Sequence, residues 1–132
     1  MDLNTTSKYL SKDVLDTVNS FSWFFMDASW MLQEKEISLA MIIPTILSAV
    51  LLCLIERKRS LTFINLAILS WIFMNVSWMF SDIFAISYYL TLAKSLFGIG
   101  IFFIIIAIIT SENISDTFSH FRRFRIMKNF KR

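Results

Sequence analysis

Asp27 stands between two tryptophans, Trp23 and Trp30, inside the apolar stretch SWFFMDASWM at residues 22–31. A carboxylate flanked by indole faces suits the binding of a cation, because ring quadrupole and acid attract the same charge. The arrangement returns 48 residues later as SWIFMNVSWM (70–79), with Asn75 in the place of the acid between Trp71 and Trp78. These four tryptophans are all that the chain has. One more charge, Lys94, lies inside the apolar run Ile83–Thr110. Together Asp27, Asn75, Lys94, Trp23, Trp30, Trp71 and Trp78 are the candidate polar site.

At about 100° per residue on a helix, Trp23, Asp27 and Trp30 fall within an arc of about 60°, and Trp71, Asn75 and Trp78 do the same. Each set is one stripe, an aromatic above and an aromatic below a polar side chain. Two readings of the stripes stay open. In one they pack: Trp at the helix ends forms an interfacial belt and Asn75 donates a hydrogen bond between helices. In the other they line a polar site that a cation enters.

The elements that carry these residues follow from the hydropathy pattern. The chain of 132 residues is 56% hydrophobic and only 17% charged, with a mean hydropathy of +0.62. A soluble domain carries nearer a quarter of charged residues. Four apolar segments stand out: Val14–Leu32, Ile37–Ile55, Leu61–Phe80 and Ile83–Thr110. A bilayer core needs about 20 helical residues, so each is long enough to span. The linkers "QEKE" (33–36), "ERKRS" (56–60) and "SD" (81–82) are short, which makes sequential helices antiparallel neighbours. The first segment carries Asp16, Asn19 and Asp27, is the weakest of the four, and reads as a retained helix rather than a cleaved signal.

Eleven of the thirteen basic residues fall on the N-terminal tail, the second linker and the C-terminal tail. Four spans put those three regions on one side, and the positive-inside rule makes that side cytoplasmic. The expected fold is therefore an all-α polytopic membrane protein with four transmembrane helices and both termini inside. Residues 1–13 form a cytoplasmic tail, 14–56 a first helical hairpin, 57–110 a second, and 111–132 a basic-aromatic cytoplasmic tail. Seven of ten positions match between the two tryptophan stretches, so the hairpins read as a parallel repeat. Anionic lipid headgroups are the expected contacts of Arg57, Lys58 and Arg59 on the linker and of Arg122, Arg123 and Arg125 on the tail.

Inside the membrane, Asp27 and Lys94 lie at similar depths. They either pair, with Asn75 alongside, or Lys94 snorkels to the headgroups. Ser87, Thr91, Ser95 and Gly98 form a small-polar stripe bordered by Lys94, which points to an inward-facing side of the fourth helix. Ala40, Pro44 and Ser48 offer a groove on the second.

Catalytic chemistry finds no residues to carry it. There is no Ser/His/Asp set, phosphate loop or HExxH motif. The single Cys53 and single His120 form no metal cluster, and no cofactor is expected. Nucleic-acid binding is not expected beside a membrane. The leading expectation is a small scaffolding or accessory subunit, a homo-oligomer or part of a larger membrane complex, with bacterial inner membrane as its location. The alternative is a small transporter or channel for a cationic or amphipathic solute, with Asp27 as its membrane carboxylate.

The "SW" pairs at 22–23 and 70–71, Trp30 and Trp78 before the turns, "LQEKEISLA" at 32–40 and "SLFG" at 95–98 carry a resemblance. The chain resembles the YiaAB-like family of duplicated two-helix membrane domains over about residues 20–110. That resemblance implies a bacterial inner-membrane protein and no particular chemistry. Glu36 stands where the family has Gly, and the second turn lacks its Glu-Lys pair.

Overall fold

The computed structural model describes residues 3–111, with side chains from Ser11 onward. Four helices follow one another: α1 (Leu3–Met31), α2 (Lys35–Ile55), α3 (Arg59–Phe84) and α4 (Ser87–Ile109). Three of them, α2, α3 and α4, are long and apolar enough to cross a membrane. The polar residues noted above keep α1 out of that set, although it is the longest helix at 29 residues. Helix α1 starts at Leu3, so its first turns lie in the segment expected to be a tail.

The turns depart from the expected linkers in one place. The first closes through Gln33 in the left-handed region, φ 64°, and α2 starts at Lys35. The α3–α4 turn was expected at Ser81-Asp82. Helix α3 instead runs through both residues to Phe84 and ends on Ala85 at φ 57°. Aromatic contacts account for the extra turn: Phe80 packs edge-on against Phe84, one turn along, and against Tyr89 on α4, each with ring centroids 5.6 Å apart.

Helix α3 is the centre of the molecule. It packs along α4 and α2, and α1 packs along α2 and touches α3 lightly. The core joins Met26 of α1, Ala49 of α2, and Ile72, Val76 and Met79 of α3. Half-buried Leu39, Met41, Ile42, Ile46, Ile68 and Leu69 pack against it, and many of the other buried residues are small and polar: Ser22, Ser29, Thr45, Ser48, Ser70, Ser77, Asn19 and Asn65. The outward faces carry Val14, Phe21, Phe24, Leu47, Leu54, Phe97, Phe102 and Ile105. Water as solvent favours the reverse distribution. Lipid tails are as apolar as leucine, so helices gain by close backbone approach over small residues and by hydrogen bonds between them. The distribution is that of a multi-pass membrane protein.

Candidate functional site

Hydrogen bonds between helices position the site. Asn19 of α1 donates its Nδ2 to the Thr45 carbonyl at 3.0 Å and to the Ser48 hydroxyl at 2.9 Å, both on α2. Ser48 donates in turn to the carbonyl of Pro44, which sits inside α2. Asn65 of α3 donates to the Leu52 carbonyl of α2 at 3.2 Å, and Ser70 to the Leu96 carbonyl of α4 at 2.7 Å. The bonds Asn19–Thr45 and Ser70–Leu96 each span 26 residues. The two hairpins are therefore cross-linked at the same separation. Ser70, however, aligns with Ser22 rather than Asn19 in the repeated stretch, so the two crossings use different positions of the repeat.

The tryptophan stripes meet at one point. Trp30 and Trp78, equivalent positions of the repeated stretch, pack edge to face with centroids 5.6 Å apart. Such a pair contributes about 0.5–1.5 kcal/mol beyond its buried area. Beside them, at the end that holds the two hairpin turns, a cleft of about 430 Å³ is lined by Trp30, Met31, Gln33, Lys35, Asp82 and Ile83. One turn below Trp30, Asp27 is half-buried, and its Oδ1 is fully covered with no hydrogen-bond partner among the described residues. Asn75, one turn below Trp78, is 9% exposed. Trp23 is half-buried. Trp71 is 55% exposed and borders an apolar groove of about 110 Å³ between α3 and α4. The candidate residues thus do not converge on one pocket: Trp30 and Trp78 meet, whereas Trp71 faces the α4 side.

Lys94 lies elsewhere. It is exposed on α4, which packs on α3 and not along α1, and it makes no ion pair with Asp27. Ser87, Thr91, Ser95 and Gly98 are exposed with it, so the small-polar stripe faces outward, against expectation. The reason is the register set by Ser70–Leu96: α4 turns Ala93 and Ala107, its smallest apolar residues, onto α3. The groove expected on α2 is also rearranged, with Ser48 buried, Pro44 half-buried and Ala40 exposed.

At the opposite end, Lys12 of α1 forms an ion pair with Glu56, whose side chain is 6% exposed. Glu56 also accepts from the backbone N–H groups of Arg57 at 2.9 Å and Lys58 at 3.0 Å. Burial pushes its carboxyl up, but the Lys12 hydrogen bond and charge and the two N–H donors outweigh burial and hold it below its ordinary 4.5. Arg57, Lys58 and Arg59 are exposed beside it. Arg122, Arg123 and Arg125 lie outside the described residues. Among the described residues no group of His, Cys, Asp or Glu is placed to hold a metal ion.

Sequence reasoning missed Asn19, Asn65 and Ser70 as the links between helices and Glu56 as a latch. The signal was present: an Asn in a lipid-embedded helix needs a partner. Its address on the neighbouring helix is set by packing register, which one sequence does not print. No protein-family profile, curated protein or solved structure matches this chain, so the likeness to the two-helix membrane family rests on the residues quoted for it.

Proposed function

We propose that this chain is a four-span membrane subunit, both termini cytoplasmic, whose work is to associate with other membrane proteins, copies of itself included. The observation that carries the reading is α4. It spans by length and composition, packs along α3 alone among the described helices, and presents Lys94 with Thr91, Ser95 and Gly98 on its exposed side. A lysine facing hydrocarbon costs about 2.5–3.5 kcal/mol at mid-helix, and small residues are the usual contact of a second helix. A protein partner answers both. The fourth span is α1: its outward face is Val14, Val18, Phe21, Phe24 and Phe25, and its polar Asn19, Ser22 and Ser29 are turned inward.

Native mass spectrometry after extraction in mild detergent tests the proposal. A homo-oligomer or stable co-purifying subunits are expected, and a lone protomer overturns it. A second reading, a small carrier of cationic solutes, draws on the covered, unbonded Oδ1 of Asp27 below the Trp30 cleft. Uptake of a fluorescent organic cation into proteoliposomes, lost in Asp27→Asn with assembly intact, is its signature.

A further inference from the structure

Among the described residues two opposite charges lack partners, on two helices that do not pack along each other. Asp27 on α1 is half-buried, its Oδ1 covered and unbonded, so that a lysine meets the carboxylate from its open half; Lys94 on α4 is exposed and makes no ion pair there. Their levels along the bundle agree. The Ser70–Leu96 hydrogen bond sets Lys94 opposite the level of Ile72, and the Phe80–Tyr89 contact sets it nearer Asn75. Asn75 shares the level of Asp27 through the Trp30–Trp78 contact. Asp27 and Lys94 therefore lie within about one helical turn, roughly 5 Å, of the same depth, a gap that the lysine stem spans.

From this charge complementarity we infer that a second copy of this chain covers α4, and that Lys94 of each copy pairs with Asp27 of the next. The inference rests on the proposed associating role and names its partner and its register. The outward stripe of Thr91, Ser95 and Gly98 lets the neighbouring α1 approach closely. A Cβ at Gly98 meets nothing within 4 Å among the described residues, so that space is open to a neighbour. Because the two charges sit on different surfaces, the contact is head-to-tail and closes into a ring when the rotation permits.

The test uses two full-length variants with different affinity tags, Asp27→Lys and Lys94→Asp, expressed alone and together. Alone, each sets like charges across every contact, and self-association falls about tenfold or more relative to wild type. Together, each copy supplies the charge that the other needs, so mixed assemblies form at wild-type levels and contain both tags. Pairing within one chain is not restored by mixing, because neither variant holds both charges. Circular dichroism in detergent reports whether each variant keeps its helices. The neutral pair Asp27→Asn and Lys94→Gln gives the same comparison, with weakened association, should a charge-reversed variant misfold. Variants that self-associate like wild type, or that gain nothing on mixing, overturn the inference and leave the associating role standing. A wild-type protein that is a lone protomer removes both, and one held only by different subunits removes the inference alone.

Discussion

Replacing Asn19 with leucine removes the amide that bonds both the Thr45 carbonyl and the Ser48 hydroxyl. Interhelical hydrogen bonds in membranes contribute about 0.6 kcal/mol on average and at most about 1.7. Two from one side chain place the expected loss at about 1–2 kcal/mol, read from reversible unfolding in mixed micelles. Asn19→Leu as stable as wild type means that α1 is held by apolar packing alone. At the other end of the same helix pair, Glu56 binds its proton less readily in the folded state than its ordinary 4.5. The folded state therefore holds fewer protons than the unfolded one, and the contribution is fully present above a pH of about 4.5. It is lost as pH falls through the lowered folded value. The stability difference between wild type and Glu56→Gln is expected to be constant near neutrality and to shrink toward pH ~3. A difference that grows on acidification reverses the sign assigned to this group.

Helix α4 holds two glycines two residues apart whose surroundings differ. Gly98 is open, whereas a Cβ at Gly100 meets the Ser70 side chain at 3.7 Å and the Ala67 carbonyl at 3.8 Å. Gly98→Leu is expected to change protomer stability by less than about 0.5 kcal/mol while weakening association. Gly100→Leu crowds the α3–α4 contact and is expected to cost about 1–3 kcal/mol of protomer stability; Gly100→Ala fits at ordinary contact distance. Thermal unfolding beside sedimentation in detergent separates the two effects. Equal destabilisation by both leucines places Gly98 inside the protomer. The same element shows how packing overrides pattern. Its small-polar stripe reads as an inward face, yet Ala93 and Ala107 are the residues buried against α3.

For the molecule as a whole, the distribution of basic residues makes a topological prediction. In a Cys53→Ser background, single cysteines placed at Lys58 and at Lys128 are expected to share one side of the membrane. A cysteine at Glu36 is expected on the other. A membrane-impermeant maleimide applied to sealed vesicles reads this out. Labelling of Lys58→Cys and Lys128→Cys from opposite sides breaks the scheme of antiparallel α3 and α4 spans. Labelling of Lys12→Cys and Lys58→Cys from opposite sides removes α1 from the membrane.

The helices, their antiparallel order and the lipid environment were legible in the chain, because they depend on composition and length. Runs such as Ile37–Ile55 have no stable place in water, and turns of a few residues leave no other route. Trp30 and Trp78, equivalent positions of the two tryptophan stretches, meet in the structure. The turn at Ala85 was not legible, because the residues that extend α3, Phe80 and Tyr89, act through a contact between helices. Lys94 had two readings, and the tertiary structure showed it exposed on α4 with no ion pair to Asp27 within one chain. Which side chains meet depends on rotation and register between helices. Those are settled by a few directional bonds, Asn19 to Thr45 and Ser70 to Leu96 among them, whose two ends lie 26 residues apart.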